Sequence, residues 1–340
     1  MKFNTKYIQE FATKILAIDS PAGYTKEAVA FLKKEAEEMG YKTQLTQKGN
    51  LIVEVGGKKK AARAVCAHVD TLGLMVRSIK ADGKLSVTMV GGPLMNTLNG
   101  EYCRIYTRSK KVYTGTILST SPSVHVYPDA KTLISEDKTM EVRLDEVVQS
   151  KEDVEKLGIM NGDFIAIDTK TEITPSGFIK SRFLDDKLSV AILFGVLKEL
   201  RKKILKQKTY FIFTVYEEVG HGNSYLPSDV EEVLGVDMGC IGADLACTEY
   251  DVSICAKDSH GPYDYEMTTH LTELAKSQKI NYVVDIYPFY GSDVSAALSS
   301  SNNIKGALIG PGVHASHGME RSHMDAVESC AILLMSYCLG

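Results

Sequence analysis

The sequence predicts an α/β fold in which helices cover both faces of a mixed, largely parallel sheet, interrupted by an inserted β-rich domain. Three observations lead to this prediction. Residues 209–216 are a dense run of β-branched and aromatic side chains, typical of a strand buried on both faces. Helical and strand-like patterns alternate at both ends of the chain. Between them, residues 72–168 show mainly short segments of period two separated by turns.

The first α/β segment begins with two amphipathic helices. Apolar positions at Tyr7, Ile8 and Phe11 predict a helix over residues 4–18, and Thr25 is expected to cap a second helix that ends at Gly40. Strands are predicted over residues 41–46, 51–55 and 64–67. The last of these ends in His68-Val69-Asp70.

The β-rich block predicts an inserted domain over residues 72–168, which divides a catalytic domain into residues 1–71 and 169–340. Asp145 is expected to begin the block's helix, over residues 145–157. Apolar surface for contacts between subunits is expected at residues 91–95 and at Ile117-Leu118. The strands of the block are predicted at 74–79, 85–90, 102–107, 112–118 and 163–168.

The α/β pattern resumes after residue 182. A strongly apolar helix is predicted over 187–200, and a helix should follow Gly261-Pro262, where proline suits the first turn. Two further helices are expected to begin near Ser292-Asp293 and near residue 324. The remaining strands are predicted at 233–238, 251–256, 281–286 and 304–309.

Composition excludes several classes of function. The net charge of −4, from 39 basic and 43 acidic residues, gives no excess of positive charge for binding nucleic acid. No apolar run approaches the ~20 residues of a membrane span, so no membrane partner is expected. The first residues lack the apolar core of a signal peptide, and we therefore expect a cytoplasmic location.

Two adjacent carboxylates, Glu217 and Glu218, follow the buried strand 209–216. Ligands bind outside the carboxyl ends of strands in open α/β sheets. Neighbouring residues of a regular strand point to opposite faces, so both acids can serve one site only if the chain leaves the sheet at Glu218. Gly220 and Gly222 make that turn easy. The alternative is a pair of solvated acids at a strand end.

Residues able to bind metal stand at five strand ends or loops. Two imidazoles and three carboxylates suit a pair of borderline divalent ions that share one acid. His68 and Asp70 are two apart in an extended segment, so Asp70 can orient the imidazole. Glu217 then remains as the general base. The five candidate ligands are His68, Asp185, Glu218, Asp237 and His323.

Two of these assignments have alternatives. Asp185-Asp186-Lys187 could instead cap the helix that follows. Three histidines lie in residues 314–323, and their spacing does not determine which one binds metal. His323 is preferred because a helix begins directly after it, whereas His317 is the alternative.

At these residues the chain resembles the glutamyl/deblocking aminopeptidases, the co-catalytic metallopeptidases that include the tetrahedral aminopeptidases and some members once named endoglucanases. The resemblance spans nearly the whole chain. Glu217-Glu218-Val219-Gly220 after a buried strand is its most specific motif. The other matching segments are Ala67-His68-Val69-Asp70, Leu184-Asp185-Asp186-Lys187, Val236-Asp237, Gly291-Ser292-Asp293 and the histidine-rich loop.

The resemblance implies a zinc-exopeptidase-like sheet with a small β-barrel-like insert that mediates assembly into dimers and, further, dodecamers. It also implies two divalent ions, Zn²⁺ or Co²⁺, bridged by Asp185. His68 and Asp237 would complete one ion site, Glu218 and His323 the other, and Glu217 would be the base. The expected reaction is removal of N-terminal residues from short peptides. A zinc-dependent deacylase or carboxypeptidase with the same ligands is one alternative, and a glycoside hydrolase is another.

Overall fold

A ten-stranded mixed sheet forms the centre of the protein in a computed structural model, which describes residues 3–201 and 203–340. Short 3₁₀ turns lie at Met95–Thr97 and Glu217–Val219. The helices are α1 (Thr5–Leu16), α2 (Lys26–Glu38), α3 (Lys151–Leu157), α4 (Leu184–Leu200), α5 (Tyr265–Gln278), α6 (Asp293–Ser299) and α7 (Met324–Leu339).

The strands confirm the alternation of α/β and β-rich segments. They are β1 (Lys42–Leu45), β2 (Leu51–Val55), β3 (Gly57–His68), β4 (Gly73–Ile79), β5 (Leu85–Val90), β6 (Tyr102–Tyr106), β7 (Val112–Ser119), β8 (Met140–Leu144), β9 (Phe164–Ile167), β10 (Glu172–Ile173), β11 (Phe178–Ser181), β12 (Leu205–Thr214), β13 (Val230–Val236), β14 (Gly239–Cys240), β15 (Val252–Asp258), β16 (Gly261–Pro262), β17 (Tyr282–Ile286), β18 (Lys305–Val313) and β19 (Glu320–His323).

The central sheet has the order β1-β2-β12-β3-β13-β18-β15-β16, with β14 beside β18 and β17 beside β15. Strands β12, β3, β13 and β18 run parallel, whereas β2 and β15 join this group in the antiparallel sense. Thr214 lies opposite His68, and Gly235 lies opposite Cys66. The carboxyl ends of β3, β12 and β13 therefore meet at one edge of the sheet.

Apolar side chains bury both faces of this sheet, as the sequence predicts. Val65 and Ala67 of β3 belong to a core that includes α1, α4 and α7, while Ala64 and Cys66 belong to a second core that includes α6. These alternate positions point to opposite faces. None of the described helices combines the length and the apolar sequence that crossing a bilayer requires.

The insert is a closed six-stranded barrel with the order β4-β5-β8-β7-β6-β9. Its interior is filled by branched side chains such as Leu74, Val87 and Ile165, which are fully buried. The barrel-like insert is thus confirmed. Its strands begin at Gly73 and end at Ile167.

Two details of the insert differ from the prediction. The helix predicted to start at Asp145 begins only at Lys151, because Ser150 caps it by accepting a hydrogen bond from the Asp153 N–H. Ile117 is 0% exposed inside the barrel and is not surface available to another subunit. Leu94, in the predicted surface segment 91–95, is 49% exposed, and further exposed apolar side chains lie in residues 120–139 at Val124 (58%), Val126 (70%) and Ile134 (71%).

Candidate metal centre

The parallel strand ends place His68 beside the paired glutamates. His68 is the last residue of β3, and the chain leaves β12 in the 3₁₀ turn Glu217–Val219. Gly220 ends this turn at φ 82°, in the left-handed region that favours glycine. His68 Nε2 lies 3.7 Å from Glu217 Oε2. The chain thus leaves the sheet at the position that the two adjacent acids require.

Asp70 holds this turn in place. Its Oδ1 accepts the Glu217 N–H at 3.1 Å, and its Oδ2 accepts the Glu218 N–H at 3.2 Å. His68 Nδ1 lies 2.9 Å from the Asp70 carbonyl oxygen and 3.7 Å from Oδ1. Asp70 therefore orients the imidazole mainly through its backbone, while its carboxylate positions both glutamates. Burial raises the pKa of Asp70 to about 6.

Asp185 stands between two imidazoles. Its Oδ1 is 3.1 Å from His68 Nε2, and its Oδ2 is 3.7 Å from His317 Nε2. The neighbouring Asp186 accepts the His68 backbone N–H at 3.1 Å through Oδ2. Both aspartates are buried at the beginning of α4. Asp185 and Asp186 therefore begin the helix and also face the candidate site.

His317, and not His323, is brought to the cluster. The Nδ1 of His317 lies 2.9 Å from the carbonyl oxygen of Gly92, a residue of the insert. A hydrogen bond from Nδ1–H to this oxygen leaves Nε2 free to act as an acceptor or ligand. Nε2 lies 3.7 Å from Glu218 Oε2, as well as from Asp185.

The structure places His323, which the sequence analysis prefers as the last ligand, outside this cluster. Its Nε2 lies 2.9 Å from the Ser176 carbonyl oxygen, and its Nδ1 accepts the Asp325 N–H at 3.2 Å, which caps α7. Both ring nitrogens are therefore occupied by the backbone. His323 also closes β19, where it pairs with Phe178.

Glu320 is a site residue that the sequence reasoning missed. Its Oε2 accepts the Asp185 N–H and its Oε1 accepts the His317 N–H, each at 3.0 Å. The side chain is 2% exposed. It thus fixes the backbone at two positions of the cluster. The run of histidines in residues 314–323 pointed to this loop, but a loop glutamate is ordinarily solvated.

The acids of the cluster are crowded and buried. Burial raises the pKa of Glu217 and Glu218 well above the usual range, and it raises the pKa of Asp237 to about 7 with a further contribution from Asp185. Among the described residues, Glu218 Oε1 has no hydrogen-bond partner. One oxygen or nitrogen atom each of His68, Asp185 and Glu218 lies within 4.8 Å of the others. Nitrogen and carboxylate donors of this kind fit borderline divalent cations.

A cavity of ≈ 520 Å³ opens beside these acids. Asp185, Glu217, Glu218, Asp237 and His317 line one side of it. Residues around β14 and along α6 line it as well. The candidate metal centre therefore faces a space large enough for part of a peptide.

Comparisons with known proteins point to one family. The profile of the family described as M42 glutamyl aminopeptidase matches residues 49–333. The protein YhfE of Bacillus subtilis (strain 168), whose name describes it as an aminopeptidase, is 46% identical over 332 residues, which is 96% of each chain.

Solved structures show the same fold. The aminopeptidase APDkam598 of the archaeon Desulfurococcus kamchatkensis has a TM-score of 0.88 at 21% identity, over 98% of this chain and 95% of that one. The TET1 peptidase of Pyrococcus horikoshii, described as assembling into a tetrahedron or a large octahedral shell, has a TM-score of 0.86 at 24% identity, over 98% and 99% of the two chains.

Proposed function

The chain belongs to the M42 glutamyl aminopeptidase family and is a metallo-aminopeptidase; from this premise we propose that it removes N-terminal residues from short peptides with two bound divalent ions. The observation that carries the proposal is the placement of Asp185, whose two carboxylate oxygens face two different imidazoles. A carboxylate between two imidazoles suits the acid that bridges a pair of ions.

The ligands divide into two sets around Asp185. His68 and Asp237 would complete the coordination of one ion, and His317 and Glu218 that of the other. Oε1 of Glu218 has no hydrogen-bond partner in the described part of the chain. This supports its role, because a buried carboxylate oxygen without a partner is unfavourable unless a cation binds it. Zinc or cobalt bound here would polarise the peptide carbonyl and lower the pKa of a water molecule.

Glu217 is the general base in this proposal. It lines the cavity, and its Oε2 lies 3.7 Å from His68 Nε2, at the edge of the ligand set. The carboxylate takes a proton from the attacking water and passes it to the nitrogen of the leaving amine. Asp70 keeps Glu217 oriented through its backbone N–H. The free α-ammonium group of the substrate is expected to interact with carboxylates at the same end of the cavity.

The remaining alternatives are not favoured. The family match and the relative named as an aminopeptidase support cleavage at a free N-terminus, rather than deacylation or carboxypeptidase action. A glycoside hydrolase would need two carboxyl groups ~5–9 Å apart across a sugar, and its mechanism would not use the imidazoles.

The proposal is tested with one peptide in two forms. Enzyme reloaded with zinc or cobalt should contain close to two ions per chain and release the first residue of the free peptide. The N-acetylated copy should be cleaved far more slowly, because the acceptor of the α-ammonium group is left without its partner. Faster release from the acetylated form would contradict the aminopeptidase proposal, and one ion or none would contradict the paired site.

We also propose that the protein is a homo-oligomer, built from dimers that can assemble further to a dodecamer. The exposed apolar side chains of residues 120–139 support this proposal, since contact with another subunit would remove them from water. The assembly of the P. horikoshii TET1 peptidase is consistent with it.

A further inference from the structure

We propose that the cavity beside the metal centre selects peptides whose first side chain is uncharged, such as Ala, Met or Leu, over peptides that begin with Glu or Lys. This inference rests on the proposed aminopeptidase activity and assigns its substrate class. It contrasts with the glutamyl preference that the family's description names.

The cavity wall outside the candidate ligands is neutral apart from His260, and it combines the aromatic residues Phe289 and Tyr290 with smaller side chains. On α6, Ser295, Ala296 and Ser299 line the cavity. Met238 and Cys240 line it from the segment that follows β13. A surface of methyl, thioether, thiol and hydroxyl groups favours apolar or weakly polar side chains.

Apart from the proposed metal ions, the described lining offers no fixed cation to an acidic substrate side chain. Among the described residues that line the cavity there is no lysine or arginine, and its imidazoles are those of His260 and His317. His317 is committed to the ligand set, and His260 is exposed to solvent. A glutamyl carboxylate that enters this space would lose hydration without gaining an ion pair.

No free carboxylate is available for a basic side chain. The acids that line the cavity are Asp185, Glu217, Glu218 and Asp237, which belong to the proposed metal centre. Their oxygens would already serve the bound cations and the substrate's α-ammonium group, so a second ammonium group, on a lysyl side chain, would be repelled by these cations.

The carboxylate of Asp258 does not line the cavity, and both of its oxygens already accept hydrogen bonds. Its Oδ2 accepts the hydroxyls of Tyr263 at 2.7 Å and Ser295 at 2.5 Å, and its Oδ1 accepts the His260 N–H at 2.7 Å. The side chain is buried. Ser295 thus separates this carboxylate from the cavity.

The test uses five aminoacyl 4-nitroanilides with the metal-loaded enzyme. We expect kcat/KM for the alanyl, methionyl and leucyl compounds to exceed that for the glutamyl and lysyl compounds at least tenfold. A preference for glutamyl or lysyl release would overturn this inference and leave the proposed function standing. Absence of release from all five would overturn the proposed function and, with it, this inference.

A change of specificity tests the wall itself. Ser299→Arg places a cation on the cavity side of α6, at an exposed position where its hydroxyl bonds only to helix carbonyls. It should raise the ratio of glutamyl to leucyl kcat/KM at least tenfold. Ser277→Arg, on the exposed face of α5, adds the same charge away from the cavity and should leave the ratio unchanged. An unchanged ratio in Ser299→Arg, with leucyl activity retained, would contradict the placement of the substrate side chain.

Discussion

At the scale of single residues, the roles proposed for Glu217 and Asp185 differ, and substitution should separate them. Glu217→Gln removes the base but keeps the size of the side chain, so turnover should fall at least ~100-fold while the bound metal is retained. Asp185→Ala should lose metal and activity together, because both proposed ion sites share this carboxylate. Metal content and peptide turnover of the two variants measure the difference. Equal loss of metal in both would show that Glu217 is a ligand.

The two histidines of the last loop should also respond differently. His317→Ala should weaken binding of one ion, since its Nε2 faces Asp185 and Glu218. His323→Ala should retain both ions but lower the free energy of unfolding by about 1 kcal/mol, the usual effect of removing a helix cap. Metal titration and thermal unfolding of both variants are the measurements. Weaker metal binding in His323→Ala alone would reverse the assignment.

The sequence predicts the acids of the site better than the last imidazole. Glu217 and Glu218 can be located because they follow a strand whose buried character is unmistakable. His317 and His323 are equally plausible from spacing, and the choice depends on which ring nitrogens bind to the backbone. The partners that decide it, Gly92 and Ser176, are distant in sequence.

At the scale of elements, Arg182 joins three segments that surround the site. It is 2% exposed and precedes α4. Its guanidinium donates to the carbonyl oxygen of Thr97 at 2.7 Å and to that of Gly318 at 3.2 Å, and it lies 3.5 Å from Glu101 Oε1. The loop that carries His317 is thereby tied to the insert.

Arg182→Met should destabilise the protein and weaken metal binding, because it leaves buried acceptors without donors and frees the His317 loop. Unpaired buried groups of this kind cost about 1–3 kcal/mol each. Arg77→Met, at an exposed position of β4, is the matched control and should leave stability and metal affinity near those of the wild type. Thermal unfolding and metal titration compare the two. Metal affinity unchanged in Arg182→Met would contradict the link between this arginine and the site.

Long elements are predictable from local pattern, and short ones depend on distant partners. The strand β12 and the helix α4 follow directly from their apolar residues. The sequence analysis does not predict the strand β8, because Met140–Leu144 is short and follows a turn-rich segment. The pairing of β11 with β19 joins segments about 140 residues apart, so no local sequence pattern can predict it.

At the scale of the whole molecule, the exposed apolar side chains of residues 120–139 lead to a prediction about size. The wild-type protein should be larger than the 37.3 kDa chain in solution. Val126→Asp combined with Ile134→Asp should give a smaller species, since charge in an apolar interface is unfavourable. Ile204 is exposed outside the insert, and Ile204→Asp should leave the size unchanged. Light scattering after size exclusion measures all three, and a monomeric wild type would contradict the prediction.

The hydrogen bond between His317 and Gly92 has a consequence for how this enzyme can be divided. The imidazole is oriented by a carbonyl group of the inserted segment, so part of the active site's support is encoded there. A shortened protein that joined residue 71 directly to residue 169 would keep every proposed ligand but lose this support for one of them. In protein engineering terms, we expect that the barrel is not a detachable module and that the minimal catalytic unit includes the insert.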